Sequence, residues 1–464
     1  MKKILMVIAA VAVLQTAVYA QSIDFSGDVT GGKSVEVTNL ENGYYDLTAV
    51  CKNTSEEGVS YLYGVSDGYT AASTVLPVST DGVKVTVRGI EVENGKCTIG
   101  VGTDGNGVIE ISDVDLVKTD KQNGFIQGGD MTEVDYIESL GGEYKDSDGN
   151  KVDPFEFLSQ NGMNMARIRL SNTPGKGTGD GVYYLPSGFQ DEEDCLKLAK
   201  RAKDAGMGIQ FTFNYSDYWS NGSRQIIPYE WVKQIKDELG YDVKNADFLN
   251  SMTSEQREEI QDKLAEIVYN YTYDIMSKLK AQGTVPEYVS LGNEIRGGML
   301  FPFGNTYDAS MNRDRFELVF GDDKNADEDI KCSKDWEGLV KFINAGYDAV
   351  KAVSEDSKVI IHLDDGSKSN KFTYFFDELD KLGAKYDVIG ASYYPAWTDN
   401  NAEACKEFCN EISKKYDKDI MIMETGFNWN ETRKDGYAGQ LKDSDVCLLM
   451  EHVVDMLLNS VMKQ

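Results

Sequence analysis

Residues 288–304, "YVSLGNEIRGGMLFPFG", open as an apolar strand and end as a glycine-rich loop, with Asn293-Glu294 at the joint. One charged residue at the end of a core strand is most simply a helix cap or a rim salt bridge. The same switch recurs along the chain, in "GFIQGGD" (124–130), "MNMARIRL" (163–170), "MGIQFTF" (207–213), "EYVSLGN" (287–293), "KVIIHLD" (358–364), "DVIGASYY" (387–394) and "DIMIMET" (419–425). Each segment is short and mostly apolar, then turns polar at its end. That is the pattern of a strand buried on both faces whose C-terminal end reaches solvent.

Amphipathic helices lie between these segments. The clearest follows a Thr253…Gln256 capping box and carries Ile260, Leu264, Ile267, Val268, Tyr271, Ile275 and Leu279 on one face. Another starts at "DPFEFL", with Asp153 as N-cap and Pro154 at the first helical position. Cys405, Phe408, Cys409 and Ile412 form the buried stripe of a third, which argues against metal binding by its two cysteines. Strands alternating with helices, and no dinucleotide-type glycine fingerprint, predict an α/β fold, a (β/α)8 TIM barrel over residues 121–464. After Glu424 the one strongly apolar stretch is "VCLLMEHVVDMLLNSVM". Either "VCLLM" is the eighth strand or the barrel is truncated before it.

Residues 1–20, "MKKILMVIAAVAVLQTAVYA", read as a secretory signal peptide, with a basic start, an apolar centre and small residues before Gln21. Residues 21–120 are short β-branched runs broken by turn residues, which predicts a small all-β sandwich domain ahead of the barrel. That module is either a spacer or a carbohydrate-binding module. It contains no Trp, so stacking there would fall to Tyr44, Tyr45, Tyr61, Tyr63 or Tyr69. The seven cysteines, an odd number, make no complete disulfide framework, and a Cys51–Cys97 pair is left open. A formal charge of −30 disfavours nucleic acid and anionic membrane and fits a neutral partner, although solubility alone explains it as well. The expected protein is secreted, extracellular and monomeric, with no cofactor, no metal, no nucleic acid and no membrane partner.

In a parallel barrel the strand C-termini converge on one rim. Glu294 ends the fourth candidate strand and Glu424 the seventh, so the two carboxylates meet across the mouth. A retaining glycosidase needs one carboxylic acid to protonate the leaving oxygen and one carboxylate to attack, about 5–5.5 Å apart. Arg167 and Arg169 alternate onto one face of the second strand, where either can hold Glu424 ionised. Asp130 ends the first strand. Trp219, Trp397 and Trp429 each follow a strand end, where an indole can stack on the C–H face of a sugar ring. Trp336, inside a predicted helix, reads as core.

"GGDMTEV", "NGMNMARIRLSNTP", "NYSDYWSNGSRQIIPYEW", "SLGNEIRGGMLFPFG", "IGASYYPAWTD" and "IMIMETGFNW", in that order, resemble glycoside hydrolase family 53, the secreted endo-β-1,4-galactanases. The resemblance implies a retaining hydrolase acting on galactan or type I arabinogalactan, a polysaccharide substrate. It implies Glu294 as acid/base and Glu424 as nucleophile, with Asn293 on the sugar's 2-hydroxyl. Asp217, Trp219, Tyr394 and Trp397 would line subsites. The chain departs from the family pattern at Thr212-Phe213-Asn214, Arg224 and Phe301, and the family's calcium loop does not carry over. The alternatives are another β-glycanase of the clan, a mannanase or glucanase, or a non-catalytic galactan-binding protein with an incomplete barrel.

Overall fold

The computed structural model describes residues 20–22, 27–29, 32–55, 60–66, 72–76, 78–103, 107–119, 126–146, 149–160, 163–175, 185–217, 220–222, 225–311, 330–394 and 402–426. The chain divides into two units, residues 1–124 and 125–464.

The first unit is all β, built from β1 (Ala20–Ser22), β2 (Gly27–Val29), β3 (Lys33–Thr38), β4 (Gly43–Asn53), β5 (Ser60–Val65), β6 (Ala72–Val75), β7 (Ser79–Val92), β8 (Lys96–Thr103) and β9 (Ile109–Thr119). One antiparallel sheet has the order β1-β9-β4-β7, with β2 also on β9, and the other the order β3-β8-β5-β6. Alternation along β4 sends Tyr45, Leu47, Ala49 and Cys51 inward against Ile99, Val101 and Leu116. Cys51 and Cys97 do not pair. Both are free, buried thiols, one in each sheet, filling the core as small apolar side chains. Burial pushes them up to about 12 and about 11, so they stay protonated and unreactive. On β8, Gly100 and Gly102 lie under the rings of Tyr63 and Tyr61, where an added Cβ would come within 2.4 and 2.3 Å of a ring carbon.

The second unit contains β10 (Gly128–Asp130), β11 (Met165–Leu170), β12 (Gly208–Phe213), β13 (Tyr288–Leu291), β14 (Ala309–Met311), β15 (Ile330–Cys332), β16 (Lys358–Leu363), β17 (Val388–Ser392) and β18 (Asp419–Glu424). Its helices are α1 (Val134–Ser139), α2 (Pro154–Gln160), α3 (Glu192–Asp204), α4 (Tyr229–Leu239), α5 (Ala246–Ser251), α6 (Ser254–Ala281), α7 (Trp336–Val353), α8 (Ser369–Lys381) and α9 (Ala402–Tyr416). Seven strands form one parallel sheet in the order β10-β11-β12-β13-β16-β17-β18, and β14 and β15 make a separate antiparallel pair. All seven predicted strands are present, in a barrel-type α/β unit that stops at seven strands among the described residues. Helices cover the sheet, so β11 and β17 are buried along their whole length. β10 and β18 are the edges among the described residues and are correspondingly more open. "VCLLM" lies outside the described residues.

Helix α6 begins with the predicted capping box, and Thr253 and Gln256 each bond the other's backbone. Asp153 caps α2 through Phe155 and Glu156. Cys405, Phe408, Cys409 and Ile412 are buried on α9, and Trp336 is buried at the start of α7. Leu264, fully buried on α6, should be costly to truncate. Leu264→Ala is expected to lower stability by about 2–5 kcal/mol. Asn270→Ala, on the exposed face of the same helix, should change it by no more than about 0.5 kcal/mol. Denaturant titration of the two variants distinguishes the outcomes.

Candidate active site

Strand β13 ends at Leu291, and the next residues turn sharply. Gly292 has φ +86°, and a Cβ there would sit 2.4 Å from Ile295 Cγ2. Glu294 is also left-handed, at φ +51°, a conformation costly for a residue with a side chain and held only by its surroundings. Asn293 supplies that hold. Its Oδ1 accepts from Arg167 Nη2 at 2.7 Å, its Nδ2 donates to the Ser220 carbonyl at 2.8 Å, and its own carbonyl accepts from Gln225 Nε2 at 2.8 Å.

Arg167 points inward from β11 and is buried. Besides Asn293 it donates from Nη1 to Glu424 Oε1 at 2.8 Å. Tyr394 donates to Glu424 Oε2 at 2.9 Å, so both oxygens of that carboxylate receive a hydrogen bond. Arg169 lies 2.7 Å through Nε from Asp130 Oδ2, which also lies 3.5 Å from Arg167. Glu294, Glu424 and His362 are brought together, one donor atom of each lying within 4.8 Å of the others.

The two carboxylates have opposite environments. Burial, reinforced by the negative charge of Glu424, pushes Glu294 up to about 7. Burial would raise Glu424 too, but the charge and hydrogen bond of Arg167, with the Tyr394 hydroxyl, outweigh it and hold it at about 2. Burial holds the His362 imidazole down at about 3, so the ring is neutral across the range where the pair differs. The three groups could donate to one ion, yet Glu424 already spends both oxygens on Arg167 and Tyr394. Near neutral pH one carboxyl is an acid and the other an anion, which is the division of labour that acid-assisted displacement at a sugar carbon needs.

The other sequence-derived residues fall into four groups. Asn293, Arg167 and Tyr394 touch the carboxylate pair directly or bond one another. Arg169 and Asp130 stand behind Arg167. Asp217 is buried, one oxygen taken by the Thr173 backbone and hydroxyl at 2.9 and 2.7 Å and the other by the Tyr229 amide at 2.7 Å, so it braces the loops after β11 and β12. Trp219, Trp397 and Trp429 lie outside the described residues. Sequence reading overlooked His362, Ser392, Gln225 and Ser220. The signal for His362 was available, since the chain has two histidines and this one interrupts the apolar run of β16 two residues before Asp364.

The family model described as Glycosyl hydrolase family 53 matches residues 126–261 and 253–455. The chain belongs to glycosyl hydrolase family 53. It is therefore a glycoside hydrolase by family. A Niallia circulans protein described only as lying in the bgaB 5' region is 30% identical over 328 residues, covering 71% of this chain and 74% of that one. The arabinogalactan endo-beta-1,4-galactanase of Cellvibrio japonicus is 28% identical over 309 residues, 66% of each chain. The Ignisphaera aggregans GH53 catalytic domain superposes with a TM-score of 0.54 at 26% identity, over 72% of this chain and 82% of that one. No described helix is long and apolar enough to cross a membrane.

The raised Glu294 carries a stability signature. A carboxyl at about 7 when folded, against an ordinary 4.5, binds more protons folded than unfolded, so its ionisation removes stability as pH rises through that window. Glu294→Gln should therefore raise stability at pH 8 by on the order of 1–3 kcal/mol, read as a higher thermal midpoint, and leave it nearly unchanged at pH 4. Equal midpoints for the two proteins at pH 8 would remove the case for a strained, desolvated acid.

Proposed function

We propose that this chain is an exported, retaining endo-β-1,4-galactanase in which Glu294 is the acid/base and Glu424 the nucleophile. One observation carries the reading: two carboxyl groups within 4.8 Å of each other, one held near 7 and the other near 2. In the first step Glu424 attacks the anomeric carbon while Glu294 gives its proton to the departing glycosidic oxygen. The C–O bond to the leaving sugar breaks and a glycosyl ester forms on Glu424. Glu294, now ionised, takes a proton from water, which attacks the same carbon and returns Glu424 to its starting state. The short separation favours this double displacement over single displacement by water, which needs a wider gap.

The neighbouring residues fit these roles. Arg167 and Tyr394 keep Glu424 ionised and aim it. Among the described residues Asn293 gives one amide N–H to the Ser220 carbonyl, which leaves its second N–H for the 2-hydroxyl of the sugar under attack. Arabinogalactan endo-beta-1,4-galactanases among the relatives, from Cellvibrio japonicus and others, support β-1,4-galactan as substrate. The signal-like residues 1–20 and the polymeric substrate support export.

Two measurements test this. Glu294→Gln and Glu424→Gln are each expected to cut turnover on linear β-1,4-galactan by about 10²–10⁴-fold while galactan binding persists. A wild-type rate in Glu424→Gln removes the nucleophile assignment. The pH profile of kcat/KM should be a bell. Glu424 must be ionised, so activity is lost as pH falls towards about 2, and Glu294 must be protonated, so activity is lost as pH rises through about 7. A rate flat to pH 9 is incompatible with Glu294 as the acid.

A further inference from the structure

A concavity of about 350 Å³ opens beyond the ends of β13 and β16, lined by Arg296, Thr306, Tyr307, Asn370, Lys371 and Tyr374. It lies on the Glu294 side of the mouth. Arg296 stands two residues after Glu294, so their Cα atoms are no more than about 7 Å apart. Asp364, the carboxylate that Arg296 grips, stands two residues after His362, whose ring lies against the catalytic pair. Glu424 ends β18, two strands beyond β16. We propose that this concavity is a subsite for an uncharged sugar of the leaving chain, the segment that departs with the oxygen protonated by Glu294. The proposal rests on the acid/base role of Glu294 given above.

The lining is braced and its charges are matched. Arg296 donates to Asp364 through Nε at 2.6 Å and Nη2 at 2.8 Å, and Lys371 pairs with Asp365. Two cations therefore face two carboxylates, which favours neither an anionic nor a cationic ligand. Thr306 gives its hydroxyl to the Arg296 carbonyl at 2.7 Å and its amide to the Gly297 carbonyl at 3.0 Å, which fixes the loop wall. Among the described residues Arg296 Nη1 makes no hydrogen bond, so its two N–H groups remain for hydroxyls. Asn370, exposed in the first turn of α8, adds an amide that both donates and accepts. Aromatic rings supply the apolar part. Tyr374, one turn further along α8, is 56% exposed and is held by a T-shaped contact with Trp336, ring centroids 5.7 Å apart. Tyr307 makes a similar contact with Phe301 at 6.4 Å. A ring pinned in this way and open to solvent can stack on the C–H face of a sugar. Rings, an amide and a balanced ion-pair network together suit a polyol better than an apolar or charged ligand.

The test compares kcat/KM on two substrates. One is β-1,4-galactopentaose labelled at its reducing end. The other is a β-1,4-galactobioside of 2,4-dinitrophenol, whose leaving group brings no sugar to the concavity and needs no protonation. Asn370→Ala and Tyr374→Ala should each lose roughly 3–10-fold on the pentaose and far less on the aryl substrate. Both should also move the preferred cleavage point towards the labelled end, because fewer sugars on the leaving side are then held. Tyr374→Phe, which keeps the ring, should restore the wild-type rate and cleavage point. Equal losses on both substrates with an unmoved cleavage point would show that these residues only support the fold, and wild-type behaviour of both alanine variants would also overturn the proposal. If Tyr374→Ala, which loses its contact with Trp336, does not fold by thermal unfolding, Asn370→Ala decides by the same criteria. Glu294→Gln on the same two substrates is the control. Equal losses there would mean that the acid/base assignment itself has failed, whereas a selective loss there with unselective Asn370 and Tyr374 variants defeats this proposal alone.

Discussion

Arg167 donates to Glu424 at 2.8 Å and to Asn293 at 2.7 Å, and this two-armed contact joins β11 to the ends of β13 and β18. In the sheet order β18 stands five strands away from β11. At about 4.8 Å per strand, a flat sheet would hold them about 24 Å apart. A hydrogen bond between them exists only because the sheet curls into a barrel wall and brings its strand ends round to face one another. The contact also needs the barrel for its electrostatics. A buried guanidinium left alone would be very costly, and a carboxylate plus an amide oxygen satisfy it only if all three meet in one orientation. Packing and charge thus depend on each other here, and the remaining features of the site are consequences.

Glu294 gains its acid character from the same arrangement. It lies close to Glu424, but among the described residues the ion pairs of Arg167 go to Glu424 and Asp130, so Glu294 shares the desolvation of the barrel mouth without sharing the ion pair. Its left-handed backbone turns the carboxyl into this position while Asn293 and Gly292 absorb the turn. The strain is local, and the bonds of Asn293 that hold it tie it to Arg167 on β11 and to Ser220 and Gln225 in the connection between β12 and α4.

Most of the barrel was legible in the sequence because strands buried on both faces read as short apolar runs with polar ends, and the helices carried strong periodicity and caps. β5 and β6 of the first unit were less visible, since "SYLYGV" mixes tyrosine and glycine and its pattern emerges only when Tyr61 and Tyr63 are seen lying over Gly102 and Gly100 on the next strand. Position in the fold was easier to read than bonding. Asp217 stood out as a polar residue past a strand end, yet nothing in the linear chain shows that Thr173 and Tyr229 occupy both its oxygens. His362 was hidden for the opposite reason, because one polar residue inside an apolar strand resembles an ordinary satisfied core side chain. Cys51 and Cys97 had suitable residue types for a bridge, but each lies in the core of its own sheet as a free thiol.

The roles proposed for the two glutamates cannot be exchanged within this structure. For Glu424 to act as the acid it would have to keep a proton beside Arg167 and against the hydrogen bond from Tyr394, both of which favour the anion. For Glu294 to act as the nucleophile it would have to ionise in the desolvated mouth next to an existing negative charge. Each change opposes several kcal/mol of environmental preference. The proposed assignment therefore rests on which strand carries the arginine. With Arg167 on β11 reaching across to β18, the anion belongs at Glu424 and the proton at Glu294.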